Sequence, residues 1–186
     1  SKPKSAEAWQ EILGFPGKAT MEKTLPLILG VPPDLPMEEL KPSKWEHLGK
    51  DKRQPIERDP DVPPREYSLH EAVGMDISAR QVVSVQGAEY LQIIVEFSSR
   101  FIVGQLLERK SDAPEGFREY CVKYYPPDIV QTDGDGNYEA QFSEFCTAIH
   151  IEQRRSAPNT QAQNYVAEIG VRLVFTCART LLIRSG

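Results

Sequence analysis

The sequence lacks several features that would assign it quickly to a class of protein. No apolar run in its 186 residues approaches the ~20 residues that a membrane helix needs, so we expect no membrane-spanning segment. Its start, Ser1-Lys2-Pro3-Lys4, has no signal-peptide pattern. The three cysteines form no CxxC pair, and their odd number favours reduced thiols in an intracellular protein. A basic excess, the usual footprint of a nucleic-acid-binding domain, is also absent, because the formal net charge is -5.

The charge that is present is unevenly distributed along the chain. Residues 153–186 contain five arginines and a single acidic residue, Glu168, so this segment is basic. Arginine side chains contact phosphates without reading the base sequence, and we therefore expect Arg154, Arg155 and Arg172 to contact nucleic acid. Solubility of an exposed helix surface is the alternative explanation for Arg172.

Proline divides the chain into two parts. Eleven of its 15 prolines precede Tyr67, and each one fixes φ and removes a backbone donor. We therefore expect residues 1–66 to be mostly irregular, with short helices over Ala6–Leu13 and Met21–Leu29. Residues 67–186 are expected to form one compact domain. Its helical pattern continues to the last residues, as in a fragment truncated at its C-terminus.

The second part has the pattern of an α/β domain. Aliphatic and β-branched runs predict strands, and Ser111 is predicted to be the N-cap of a helix that ends before two prolines. The short turn between the second and third strands predicts an antiparallel pair. The predicted order is β-β-β-α-β-α-β-α, with strands at Ala72–Ser78, Tyr90–Glu96, Phe101–Leu107, Asp128–Thr132 and His150–Arg155, and helices at Ser111–Tyr124, Glu139–Ile149 and Gln163–Ile183.

Three carboxylates stand where they could bind a metal ion. Asp76 lies inside the first strand among apolar neighbours, where an ionised side chain is costly unless it is paired or metal-bound. Asp133 ends the fourth predicted strand, and Glu168 lies on the final helix. Carboxylate oxygens suit Mg²⁺ and Mn²⁺, and two such ions about 4 Å apart would support phosphodiester chemistry. Taken singly, each of these residues is more often a solvated or helix-capping carboxylate.

Several short motifs around these carboxylates follow one another in a specific order. They read YLQIIVE (90–96), SRF (99–101), KSDA (110–113), TDGDGNY (132–138), FSEFC (142–146), HIE (150–152), SAPNT (156–160) and QNYVAE (163–168). Together they resemble the integrase core of copia-type long-terminal-repeat retrotransposons, in which the second half reads roughly SDNGGEF, EFC, HGI and SAPYTPQQNGVAE. The resemblance runs from about Tyr67 to the C-terminus.

The resemblance implies a fold and a function. The fold would be ribonuclease-H-like, with a mixed five-stranded sheet and flanking helices. Asp76, Asp133 and Glu168 would be the catalytic residues and the ligands of Mg²⁺ or Mn²⁺, for phosphodiester cleavage and strand transfer in DNA integration. Gln163 and Asn164 would meet DNA. The partners would be the element ends and the target DNA, the active form a homo-oligomer in the nucleus, and no membrane would be involved.

The first part of the chain departs from the family's pattern. Residues 1–66 resemble the pre-integrase region, which binds zinc through two histidines and two cysteines. Here Gln10, Phe15, Ser43 and Glu46 occupy those positions. Since a zinc site needs its full set of nitrogen and sulfur ligands, we expect no zinc and treat this region as degenerate.

The second part also departs at three positions. Tyr165 replaces the family's glycine three residues before Glu168, where a ring would crowd the site or stack on a base. Ile169 replaces a basic residue, and Glu96 replaces an aspartate. These changes leave open a second interpretation, an inactive integrase-derived relic that retains only nucleic-acid or protein binding.

Overall fold

The computed structural model describes residues 5–32, 35–37, 40, 66–133, 139–155 and 165–185. Residue contacts divide the chain into two compact units. One, the N-terminal unit, consists of Ser1–Arg53 and Arg172–Gly186, and the other, the sheet unit, consists of Gln54–Val171. The longest helix therefore contributes residues to both units.

The described helices and strands follow the predicted order. The helices are α1 (Ala6–Ile12), α2 (Lys18–Thr24), α3 (Ala113–Lys123), α4 (Glu139–Ala148) and α5 (Tyr165–Ser185), and the strands are β1 (Ala72–Ile77), β2 (Tyr90–Glu96), β3 (Ile102–Leu107), β4 (Ile129–Thr132) and β5 (Glu152–Arg155). The order β-β-β-α-β-α-β-α is confirmed, with strand ends within two residues of the prediction. No helix in the described part of the chain is both long and apolar enough to cross a membrane.

The five strands form one mixed sheet in the order β3-β2-β1-β4-β5. β2 is antiparallel to both β1 and β3, as the short β2–β3 turn predicted. β1 is parallel to β4, and β4 is parallel to β5. This topology, with helices packed on the sheet, confirms the predicted ribonuclease-H-like fold class.

One face of the sheet, called the core face below, is closed by α3 and α4. Alternate strand residues meet there, because successive side chains of a strand point to opposite faces. The cluster contains Val73, Met75, Ile94, Val103, Val130, Phe117, Tyr120, Phe142, Cys146 and Ile151. Phe117 and Phe142 are fully buried, and their ring centroids lie 5.2 Å apart.

The start of α3 differs from the prediction. Ser111 is not an N-cap, because a 3₁₀ turn over Lys110–Asp112 precedes the helix. The Asp112 carboxylate accepts a hydrogen bond from the Arg109 N–H at 2.9 Å and so closes this turn. Pro114 in the first turn needs no hydrogen-bond acceptor.

The thiols of the sheet unit are part of its packing. Burial raises the pKa of the Cys121 thiol to about 12 and that of Cys146 to about 11. Cys177, in the N-terminal unit, also has its pKa raised by burial. All three are free, and they stay protonated and unreactive at neutral pH.

The N-terminal unit has a small core of its own. Ala6, Trp9, Met21, Leu25 and Leu40 are buried together. The first predicted helix is confirmed over Ala6–Ile12. The second was placed too late in the sequence, since α2 begins at Lys18 and gives way to a 3₁₀ turn at Leu25–Leu27, which contains a proline.

Candidate functional site

Asp76 and Asp133 lie next to each other where two parallel strands end. The parallel register of β1 and β4 finishes with Met75 opposite Thr132. Asp76 and Asp133 come directly after these two residues, and neighbouring strands lie about 4.8 Å apart. The edge at which β1 and β4 end is called the carboxyl edge below. The sheet therefore brings these two predicted site residues together.

Both aspartates belong to the face of the sheet opposite the core face. Val73 and Met75 belong to the core face, so Asp76 belongs to the other one, as does its cross-strand neighbour Ile93. Asp133 follows the same alternation along β4. Both carboxylates are half-buried, and the Asp76 Oδ1 accepts a hydrogen bond from the Ile77 N–H at 2.7 Å. This side of the sheet is called the carboxylate face.

Glu168 lies in the first turn of α5, which packs on the carboxylate face over β2. Gly170 marks the contact. A Cβ on this residue would lie 2.5 Å from Val95 Cγ2, 3.1 Å from Ile93 Cγ2 and 4.0 Å from Ile102 Cδ1. The close approach requires glycine, because the branched Val95 side chain cannot retreat without changing rotamer.

The register of the sheet accounts for two of the three predicted carboxylates, Asp76 and Asp133. Glu168 lies two residues before Gly170, whose strand neighbours include Ile93, the cross-strand partner of Asp76. Among the described residues, no group of three or more His, Cys, Asp or Glu side chains could hold a metal ion. The donor chemistry of the aspartate pair suits Mg²⁺, and the complete ligand set remains a prediction.

Tyr165 begins α5 and lies against the β2–β3 turn. The guanidinium carbon of Arg100 is 6.0 Å from the centroid of the Tyr165 ring, within the range of a cation–π contact. Arg100 has a left-handed φ of 63°, which directs the turn back towards β3. The Tyr165 ring therefore has a partner in the sheet unit.

The two arginines of β5, the edge strand, leave it on opposite faces. Arg154 belongs to the carboxylate face, because its partner Gln131 follows the core residue Val130. Its guanidinium donates hydrogen bonds to Glu152 at 2.6 and 2.9 Å, and this contact raises the pKa of Arg154. Arg155 points to the other side.

Arg155 is bound to a helix of the core face. Its Nη2 donates to the Ser143 Oγ on α4 at 3.3 Å. Of the other predicted nucleic-acid contacts, Arg172 belongs to the N-terminal unit, and Gln163 and Asn164 lie outside the described residues.

Glu96 has a structural role that sequence reasoning missed. It is 2% exposed, and its carboxylate accepts hydrogen bonds from the N–H groups of His70 and Ser98 and from the N–H and hydroxyl of Ser99. Burial raises its pKa, but these hydrogen bonds outweigh burial and lower the pKa overall. The two serines that follow a strand-ending glutamate were a detectable signal for such a turn.

In the N-terminal unit, two of the four residues that were compared with zinc ligands, Gln10 and Phe15, are buried. The Gln10 Nε2 donates to the Pro16 carbonyl oxygen at 2.9 Å, and Gln10 is 4% exposed. Phe15 is buried with a left-handed φ of 59°. Ser43 and Glu46 lie outside the described residues.

An open cleft lies between α3 and α4. It has a volume of about 630 Å³ and is lined by residues of the 3₁₀ turn, α3 and α4, including Glu115, Arg118 and Phe145. These helices cover the core face, so the cleft does not face the aspartate pair.

Comparison with known proteins adds solved structures of similar fold. No family model and no curated protein matches the chain. One similar chain comes from the cryo-EM structure of the simian T-cell lymphotropic virus intasome in complex with PP2A regulatory subunit B56 gamma (TM-score 0.44, 16% identity, 63% of this chain and 49% of that one). Another is the HTLV-2 integrase catalytic core domain in complex with magnesium, in a trimeric form (TM-score 0.43, 17% identity, 50% of this chain and 63% of that one). The chain thus spans about half the length of the first and less than two thirds of the second.

Proposed function

We propose that this chain contains the catalytic core of a retroelement integrase of the copia type, which cleaves and joins phosphodiester bonds in DNA. The observation that carries the proposal is the pair Asp76 and Asp133 at the ends of adjacent parallel strands, inside a sheet of order β3-β2-β1-β4-β5. Two rigid strand ends fix two carboxylates more precisely than loops would. The copia type is proposed because the motifs around these aspartates resemble those of that family.

Within this proposal, Asp76 and Asp133 hold a divalent cation, Mg²⁺ or Mn²⁺, and Glu168 completes the ligand set. A cation bound there would activate an attacking oxygen and stabilise the leaving oxygen. The Ile77 N–H donates a hydrogen bond to one oxygen of the Asp76 carboxylate.

The proposed partners are the element ends and the target DNA, with a homo-oligomer as the active form in the nucleus. Arg154 supports contact with DNA, since it shares the carboxylate face with the aspartate pair. Gln163, Asn164, Arg155 and Arg172 are proposed as further contacts on the strength of the resemblance and the local charge. No zinc is proposed, because Gln10 and Phe15 supply no nitrogen or sulfur ligand of the required kind.

Strand transfer by purified protein tests the catalytic assignment. Labelled duplexes that carry candidate element ends are incubated with Mg²⁺, with Mn²⁺ and with EDTA, and nicked and joined products are resolved. We expect Asp133→Asn to slow the metal-dependent reaction by about 100-fold or more. Asp128→Asn is the matched control, because this exposed aspartate lies just before the opposite end of β4.

Two results would contradict the assignment: equal rates for the wild type and Asp133→Asn, or no binding of a divalent cation by the wild type in calorimetry. A wild type that binds DNA and Mg²⁺ without cleaving would instead identify the inactive relic.

Iron-mediated backbone cleavage tests the position of Glu168 without requiring activity. Fe²⁺ replaces Mg²⁺ at carboxylate sites, and with ascorbate and peroxide it cuts the chain near its ligands. Cuts near Asp76, Asp133 and the start of α5 are expected in the presence of DNA. Cuts near the two aspartates alone would show that Glu168 is not a ligand of the cation.

A further inference from the structure

We propose that the sheet unit carries a second nucleic-acid site, a platform of exposed aromatic rings that stacks the unpaired bases of single-stranded nucleic acid. The ring platform consists of Phe101, Tyr124 and Tyr125, with His70 at its side. It requires no catalysis and is separate from the aspartate pair.

The platform is formed by three segments that meet at one edge of the sheet. His70 precedes β1, Phe101 precedes β3, and Tyr124 and Tyr125 lie between α3 and β4. β1, β3 and β4 run in the same direction, so these segments all stand at the strands' amino ends. Asp76 and Asp133 stand at the opposite, carboxyl edge, about 13–20 Å away at about 3.3 Å per strand residue.

Exposure distinguishes these rings from the other aromatic side chains. Phe101 is 50% exposed, Tyr124 40% and Tyr125 57%. Within the described part of the chain, every other large exposed apolar side chain is aliphatic. Exposed aromatic rings that lie together are the feature by which proteins stack bases without reading their sequence.

Two of the exposed rings, Tyr124 and Phe101, are held in place by buried ones. Ring contacts lead outward from the core face, from Phe117 to Tyr120 at 6.1 Å, from Tyr120 to Tyr124 at 5.4 Å and from Tyr124 to Phe101 at 5.4 Å. Phe117 and Tyr120 are buried. Because the exposed rings are already ordered, a stacking base would lose little affinity to the ordering of side chains.

Polar groups beside the rings suit a nucleic acid. The Lys123 Nζ lies 5.4 Å from the centroid of the Tyr124 ring, where an ammonium can pair with a backbone phosphate. The His70 ring stacks on Tyr125 at 5.0 Å, and the His70 N–H is bound to the Glu96 carboxylate, which fixes this segment to the β2–β3 turn. Rings next to a cation favour a nucleic acid over an uncharged protein surface.

Fluorescence polarisation with a labelled 12-nucleotide oligo(dT) tests the platform on the full chain. We expect Tyr125→Leu and Phe101→Leu each to weaken binding about five- to a hundred-fold, the usual cost of losing one stacked base. Tyr125→Phe keeps the ring and should bind as the wild type does. Leu106→Ala, at an exposed aliphatic residue of β3, is the control for nonspecific surface effects.

The outcomes separate this site from the catalytic one. Asp133→Asn should bind the oligonucleotide as tightly as the wild type, whether or not the wild type cleaves DNA. Unchanged binding by folded Tyr125→Leu and Phe101→Leu, as judged by thermal unfolding, would overturn the proposal. So would equal affinity for duplex DNA, or a loss of self-association in Tyr125→Leu without any oligonucleotide binding, which would make the rings a protein interface.

Discussion

The two faces of the five-stranded sheet are built from alternate residues of the same strands, yet they pack in different ways. The core face is filled by large side chains, with Phe117 and Phe142 fully buried. On the carboxylate face, Gly74 and Asp76 are successive residues of β1 on that side of the sheet. α5 can approach this face closely only because Gly170 lacks a side chain. The core face stabilises the fold through large buried side chains. The carboxylate face has smaller and acidic side chains instead, and it carries the aspartates near the strand ends.

The largest effect is expected for a cavity on the core face. Phe117→Ala removes a ring that touches Tyr120, Phe142 and Phe145, and we expect it to lower the free energy of unfolding by about 3–5 kcal/mol. Urea denaturation measures this loss. Val122→Ala, at an exposed residue of the same helix, should stay within about 0.5 kcal/mol of the wild type. Similar losses for both variants would contradict the division between the faces.

On the carboxylate face, a single added methyl group should be destabilising. Gly170→Ala places a Cβ 2.5 Å from Val95 Cγ2, so we expect a loss of about 1–3 kcal/mol despite the better helix propensity of alanine. Val95→Ala in the same chain makes room for the methyl group, and thermal unfolding of the double variant should show partial recovery. A single Gly170→Ala variant more stable than the wild type would show that α5 does not pack this closely on β2.

The stability that Glu96 contributes at the rim of the core face is expected to depend on pH. Hydrogen bonds favour the Glu96 carboxylate in the folded chain, so its pKa lies below the value of about 4.3 in the unfolded chain. Its stabilisation is therefore complete well above pH 4.3 and is lost as the pH falls through the folded-state pKa. Glu96→Gln should cost about 1–2 kcal/mol at pH 7 and less at pH 3, as measured by unfolding at both pH values.

The smallest effect concerns DNA affinity on the carboxylate face. Glu152→Gln removes the carboxylate bound to Arg154, so the guanidinium, which keeps its hydrogen bond with Tyr67, should bind a phosphate and raise affinity for duplex DNA a few-fold, with a salt dependence steeper by about one phosphate contact. Glu89→Gln is the matched control, because it frees Arg80 from a comparable ion pair on the β1–β2 connection. Polarisation assays at several salt concentrations measure both. An equal gain for the control would show that any added positive charge suffices.

Most of the sheet unit was predictable because its local signals agree with its tertiary packing. The aliphatic runs at Tyr90–Glu96 and Ile102–Leu107 and the turn between them predict an antiparallel pair wherever a core is available to receive them. The start of α3 was less predictable, because Ser111 and Asp112 are both good capping residues. Long-range contacts of Glu96 with His70, 26 residues earlier in the chain, left no local pattern.

The candidate site, like the fold, was predictable only in part. The proximity of Asp76 and Asp133 follows from their positions inside the first predicted strand and at the end of the fourth, once those strands are parallel and adjacent. The placement of Glu168 does not follow, because a helix can cross a sheet at many positions that bury the same residues. The ring platform could not be predicted from the sequence either, since Phe101 and Tyr125 are 24 residues apart in the chain.

Residue pattern alone therefore determines the element order and the α/β class, because these depend on the hydrophobic period and on the residues that end each element, whereas the three acidic site residues stay a prediction. Tertiary structure decides the strand order, the faces on which Arg154 and Arg155 emerge, and the partners of Tyr165 and Glu96. These properties depend on which helix and strand surfaces pack together. The free energy that favours one packing arrangement over the others comes from contacts throughout the core, and no short segment of sequence contains it.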